Sequence, residues 1–293
     1  PEVRGCHGCY YPNWENAGGD FDITSRIFSI EFLGETLFER YRNLEEGTKN
    51  ITKSKVVEEL KKLSIDKNLL DFEIGNPVAS DKNIPFTESD LNRSFPGKEH
   101  GTYEEIRAFE LSPKIKSADI VIDIHSTNTT DLSKKSMLIV TSYNEATKEI
   151  IDIIKPPKVL YMKYKGDNAL ISQAKIGIAF EYGKDTSEEV LNATMHDIAK
   201  ILIHFNFIQN NPYKTNKQDV ETEIFEVYDV FKKDFVGPYK LKGEIKNFQV
   251  VSKGSAVCDI DMGKKIIAEE DFVPILFGEN RYTEILGFKA KKI

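Results

Sequence analysis

At 293 residues, with 40% hydrophobic and 30% charged side chains, the chain has the make-up of a globular protein with one large domain, or one large and one small. A net charge of −7 argues against a general polyanion binder, and Cys6, Cys9 and Cys258 do not make a disulfide framework. There is no apolar run of bilayer-spanning length and no signal-peptide pattern, so the expectation is a cytoplasmic protein with no membrane and no nucleic-acid partner.

RIFSI (26–30) reads as a short strand leading into EFLGETLFERYRNLEEG, whose Phe32, Leu33, Leu37 and Tyr41 have helical spacing before Gly47. KVVEELKKLSID predicts a helix and NLLDFEIGNP a strand closed by a Gly-Asn-Pro turn. Residues 77–101 are rich in Pro, Asn, Ser and Gly, and so long an irregular stretch inside a domain is usually functional or disordered. A helix, TYEEIRAFELSPKI, feeds the strand ADIVIDIH. After it come the strand MLIVTSY, the helix NEATKEIIDII, the buried strand KIGIAFEYG and a long helix from about Thr186 to Phe207. This alternation predicts an α/β fold with a mainly parallel sheet flanked by helices.

Beyond Gln209 the texture changes to short strands (EIFEVYDVF, FQVVS, AVCDID, KKIIAE, FVPILF) between Gly and Lys turns. The polar junction QNNPYKTNK predicts a boundary there, with a larger domain over 1–208 and a smaller β-rich one over 209–293. The terminal KAKKI reads as a solvated tail.

Three places carry chemistry. In an open α/β sheet, ligands bind outside the carboxyl ends of the strands, where ADIVIDIH puts His125, and Asp123 two residues earlier points the same way. A lone strand-end histidine is more often a hydrogen-bonded structural group, so converging carboxylates and cations are needed to change that reading. Glu181 ends the apolar strand IGIAFE, where burial would raise its pKa toward the range of a general base; the alternative is a glutamate pointing into solvent. Asn92 and Arg93 sit in DLNRSFPG, and arginine is the usual fork for a substrate carboxylate, although it can equally fix its loop to the body. Cys6-x-x-Cys9 has the form of a dithiol motif, with a structural role favoured, and His100, His196 and His204 lack acidic partners at ligand spacing.

Together GNPVA (75–79), DLNRSFPG (90–97), DIHST (123–127) and FEYG (180–183) resemble, in order and spacing, the succinylglutamate desuccinylase/aspartoacylase family, a branch of the zinc carboxypeptidase superfamily. The resemblance implies a zinc carboxypeptidase-like mixed sheet and a hydrolase, with one Zn²⁺ per chain, cleaving the amide of an N-acyl amino acid. A homo-oligomer is compatible with it. By the same resemblance His125 and Glu31 are metal ligands and Glu181 the base. Asn92 and Arg93 hold a substrate carboxylate, while Glu279 and Tyr282 of GENRY close over the substrate.

The chain departs from the pattern at several positions. The first zinc histidine is expected three residues before Glu31, at Phe28, whereas GCHG (5–8) carries the family's Gly-x-His-Gly form upstream. Three readings stay open: a long insertion brings His7 back, a loop with the histidine is missing from this sequence, or the site is degenerate and the chain a small-molecule binding protein. The expected oxyanion arginine is Pro85, with Lys82 the nearest cation, and an arginine that grips aspartate in aspartoacylases is Ile171.

Overall fold

One strand, IVIDIH, is covered on both sides and fixes the rest of the architecture. In this computed structural model the described residues are 28–32, 51–66, 69–82, 84, 86–125, 136–162, 168–183, 188–215, 220–235, 237–260, 264–278 and 284–293, with backbone alone for 28–32 and 51–54. In chain order they form β1 (Phe28–Phe32), α1 (Ile51–Lys62), β2 (Leu70–Ile74), α2 (Pro77–Asp81), α3 (Tyr103–Ser117), β3 (Ile120–His125), β4 (Met137–Val140), α4 (Glu145–Ile154), β5 (Lys158–Tyr161), β6 (Ile176–Glu181) and α5 (Glu188–His204). Then follow β7 (Glu223–Lys232), β8 (Tyr239–Leu241), β9 (Ala256–Ile260), β10 (Lys265–Ile267), β11 (Val273–Ile275) and β12 (Ile285–Lys292).

The strands form a nine-stranded mixed sheet in the order β11-β12-β7-β5-β4-β6-β3-β1-β2 and a separate antiparallel sheet β10-β9-β8. Five pairings of the large sheet are parallel, so the α/β, mainly parallel expectation holds. Residues beyond 209 supply β7, β11 and β12 to that same sheet, with β7 parallel to β5.

Alternation along the strands sorts the two faces. Ile120, Ile122 and Ile124 of β3 join Ile176, Ile178 and Phe180 of β6 in a core shared with α1, α4 and α5. Each such side chain contributes about 1.5–3 kcal/mol by leaving water. Val121 and Ala179 face the other way, against Ala108, Leu111 and Ile115 of α3, Leu91, and Leu170. The same parity puts Asp123, His125 and Glu181 on the α3 face. Gly177 of β6 also lies there, and a Cβ on it would stand 2.0 Å from the Ile171 carbonyl oxygen. Only glycine lets the 3-10 turn Leu170–Gln173 lie directly on the strand.

Local chemistry explains the helices. Thr102 and Glu105 form a reciprocal capping box at the start of α3, as Asn144 caps α4 and Asn76 caps α2. Pro77 at the first position of α2 is where proline is tolerated, so part of the stretch expected to be irregular is helical. Three further expectations are corrected. Glu31 and Phe32 extend β1 and do not open a helix; the remainder of EFLGETLFERYRNLEEG lies outside the described residues. FQVVS makes only an isolated bridge at Val251. Lys289–Lys292 are strand residues of β12 paired to β7, with Lys289 bonded to Asp229 and Glu270, and so are no tail. Among the described residues no helix is long and apolar enough to cross a membrane.

Candidate active site

The carboxyl ends of β3 and β6 meet in register, His125 beside Glu181. Parallel pairing makes both side chains leave the sheet at one edge and on one face, so the register assembles the pair. Below the imidazole, Asp123 is fully buried, and its Oδ2 lies 2.6 Å from His125 Nε2. A neutral ring donates its Nε2–H to that carboxylate, which fixes the tautomer and leaves the lone pair on Nδ1. Glu181 is half-buried, at the rim of the core. Behind it Tyr182 points to the opposite face, donates 2.5 Å to Asp197 Oδ2 of α5 and stacks on Phe180. Burial, reinforced by the Asp197 charge, pushes the Tyr182 phenol well above its ordinary range.

The 3-10 turn Leu91–Arg93 brings Asn92 to this edge. Asp90 caps the turn, its Oδ1 accepting the Asn92 backbone N–H at 2.9 Å. The Asn92 side chain is held at one end and abuts the ring at the other: its Oδ1 accepts the Leu170 N–H at 2.9 Å, and its Nδ2 stands 3.5 Å from His125 Nε2. The second distance is a contact; the 2.6 Å carboxylate bond takes the ring proton. Arg93 turns elsewhere. Its Nε is 3.2 Å from Asp90 Oδ2, its side chain is 48% exposed, and with Ser89, Ser94 and Lys98 it lines a cavity of about 510 Å³ that Asn92 does not line. The turn therefore splits the expected clamp, Asn92 toward the imidazole and Arg93 toward the cavity.

The donor chemistry suits a metal in kind. His125 offers an imidazole, and the buried Asp123 Oδ1 has no hydrogen-bond partner among the described residues, a vacancy costing about 1–3 kcal/mol that a cation would relieve. Glu31 stands in register between Asp123 of β3 and Glu73 of β2. In number the set is incomplete: among the described residues no three His, Cys, Asp or Glu groups could together hold an ion. The register also disposes of position 28. Phe28 pairs with Ile120, five residues back from His125, or about 16 Å at 3.3 Å per residue. His7, Glu279, Tyr282 and Pro85 lie outside the described residues; Lys82 ends α2, and Ile171 is buried at 4% exposure against the α3 face.

The backbone N–H of Leu170 is a donor that the sequence does not mark, since every residue but proline has one. Cys258 is buried, and burial pushes its thiol up to about 11, so it offers no reactive thiolate. His196 Nδ1 is bonded near Tyr213 and Asn211, and His204 pairs with Glu149, both far along α5 from the strand ends.

Fold and site together define a mixed α/β protein with a His–Glu pair at adjacent strand ends. Residues 46–205, over half of the chain, match the succinylglutamate desuccinylase/aspartoacylase catalytic domain, and the protein belongs to that family. It is 24% identical over 259 residues to a probable aspartoacylase of Prochlorococcus marinus, covering 78% of this chain and 85% of that protein. It is 25% identical over 243 residues to an N-acyl-aromatic-L-amino acid amidohydrolase (carboxylate-forming) of Xenopus tropicalis, covering 72% and 77%. Its fold is shared with murine aminoacylase 3, at a TM-score of 0.67 and 15% identity over 92% of this chain and 96% of the other.

Proposed function

We propose that the protein is a zinc-dependent hydrolase that cleaves the amide bond of an N-acyl amino acid or a similar small carboxylate-bearing amide. The observation that carries this reading is the register of β3 on β6, which sets Glu181 beside His125 with the Asn92 amide against the ring. Family membership and the names of two relatives, a probable aspartoacylase and an N-acyl-aromatic-L-amino acid amidohydrolase, support it. The residues that would hold the metal are His125 and Glu31, with His7 as the proposed third. When bound, zinc supplies a Lewis acid that polarises the amide carbonyl and activates water.

The chain's own groups do the rest. Asp123 holds the imidazole in one tautomer and orientation. Glu181 accepts a proton from the attacking water and passes it to the leaving amine nitrogen. Asn92, fixed by Leu170, orients the substrate; Arg93 attracts its carboxylate, for which the Asp90 bond has to exchange. Glu279 and Tyr282 are proposed to close over the bound amide. With an apolar, buried Ile171, the site is proposed to favour substrates without a second carboxylate.

The test is metal analysis of the purified protein beside hydrolysis of a panel of N-acetyl and N-succinyl amino acids. Stoichiometric zinc with turnover abolished in Glu181→Gln is the expected result. No stoichiometric zinc together with unchanged activity in that variant sinks the proposal. A second reading, a binding protein on the same fold, is favoured by Phe28 and Pro85 at the positions where the family resemblance expects a metal histidine and an oxyanion arginine. It predicts saturable binding of an N-acyl amino acid without turnover.

A further inference from the structure

Glu104 is a fully buried acidic residue at the second position of α3, where sequence alone makes it one more carboxylate in a helical first turn. The structure gives it another task. Its Oε1 accepts from the Asn76 side chain at 3.0 Å, from the Thr87 N–H at 2.5 Å and from the Thr87 hydroxyl at 2.8 Å. Its Oε2 accepts from the N–H groups of Glu88 and Ser89, both at 3.1 Å. Three consecutive backbone N–H groups thus curl around one carboxylate, the arrangement by which backbone nests hold free anions. Here the anion is covalently part of the next helix.

What the nest holds is the approach to Asn92. Ser89 adds hydroxyl contacts to Ser94 at 3.4 Å and Thr102 at 3.1 Å, and Asp90, one residue on, caps the turn that aims Asn92 at His125. Asn76 ties in the GNPVA turn as well, so three separated segments converge on one charge. Burial alone would push the Glu104 carboxyl up; the bonds from Thr87, Ser89 and Asn76 outweigh it and hold the group below the usual carboxylate range. Desolvating a carboxylate is costly, and a purely structural joint here could use neutral groups.

We propose that Glu104 is a positioning residue for the substrate site: as an internal anion it folds residues 87–89 into the shape that delivers Asn92 and Arg93. This rests on the reading of Asn92 and Arg93 as substrate-handling residues. Replacing the carboxylate by an isosteric amide puts a donor against donors, so the loop loosens while the core under α3 stays.

The experiment compares wild type, Glu104→Gln, Glu104→Ala and Thr87→Val for kcat and KM on the best N-acyl amino acid, with hydrogen exchange at 87–94 followed in the same proteins. Glu104→Gln should remain folded, with kcat/KM lowered ~10-fold or more, mainly through KM. Thr87→Val, which removes one donor of five, should shift KM in the same direction by less. In Glu104→Ala, added formate should refill the nest and restore part of the lost activity, a response that lost packing does not give. Exchange at 87–94 should rise in Glu104→Gln and fall back with formate in Glu104→Ala. A folded Glu104→Gln with KM within ~2-fold of wild type, or unchanged exchange at 87–94, overturns the proposal. If wild type hydrolyses nothing on the panel, the enzyme reading fails by itself, while the exchange result still decides whether Glu104 shapes the loop.

Discussion

The two faces of β3 and β6 are made from alternating residues of the same two strands, yet they are held together by different physics. On one, Ile120, Ile122, Ile124, Ile178 and Phe180 are packed under α1, α4 and α5, and exclusion of water does nearly all the work. On the other, beyond the apolar patch of Val121 and Ala179 against α3, the same strands present Asp123, His125, Glu181 and a glycine to a layer whose site end is aimed by directional bonds: Asp123 to His125, Asn92 to Leu170, Glu104 to the 87–89 loop. Apolar packing tolerates small shifts in angle; hydrogen bonds at 2.6–2.9 Å do not, so chemistry that depends on aim is carried on the bonded face. The division makes a clean expectation. Substitutions on the bonded face should cost activity, and those on the packed face should cost stability.

The largest effect is expected at Glu181. Glu181→Gln preserves volume and should lower kcat by about 10²–10⁴-fold while the thermal midpoint barely moves. A midpoint that falls with the rate would break the division at its strongest point. On the opposite face, Ile122→Ala removes a side chain with 0% exposure and should cost about 2–5 kcal/mol in a urea titration, with KM unchanged at temperatures where the variant is folded. A raised KM there would mean that the two faces are coupled through the strand.

Tyr182→Phe tests a buried polar contact on the packed face. It takes the 2.5 Å donor from buried Asp197, at a cost of about 1–3 kcal/mol, and it sharpens the comparison because Tyr182 directly follows Glu181. Equal losses of stability and rate would show that α5 steadies the base. The smallest effect belongs outside the site. Hydrogen bonds from Lys158 and Lys292 draw Glu223 down from 4.5 to about 2, and its side chain is 37% exposed. A folded-state pKa below the unfolded one stabilises the protein above pH 4.5, and that contribution fades as pH falls toward about 2. Glu223→Gln should therefore lower stability at pH 7 by less than about 1 kcal/mol, with the gap to wild type closing as pH falls toward about 2. A gap that widened in acid would reverse the assignment of the ion pairs.

Much of this was legible in the chain. The apolar strand ADIVIDIH, the helical segments TYEEIRAFELSPKI and NEATKEIIDII, and the strand IGIAFE all express local rules, and they placed β3, β6, α3 and α4 where the structure has them. Asp123 beside His125 followed from a two-residue period. What could not be read depends on pairings distant in sequence. No periodicity states that β7 lies parallel to β5, so the continuation of the large sheet beyond 209 was hidden. The register of β1, which carries Phe28 to the far end from His125, is likewise a product of strand alignment. Glu104 carries no sequence signal of its own, because its meaning lies in Thr87, Glu88 and Ser89, which reach it through backbone atoms that every residue has.

Gly177 shows how narrow a tolerance this construction imposes on sequence change. Its missing methyl group lets the Ile171 carbonyl rest on β6, and the neighbouring Leu170 N–H grips Asn92 from that seat. An alanine there would be chemically mild and would touch no reacting group, yet it would lift the turn off the strand and slacken the amide above the imidazole. At this position the molecule screens mutations by size alone, so a substitution that leaves every polar group intact could still silence the site.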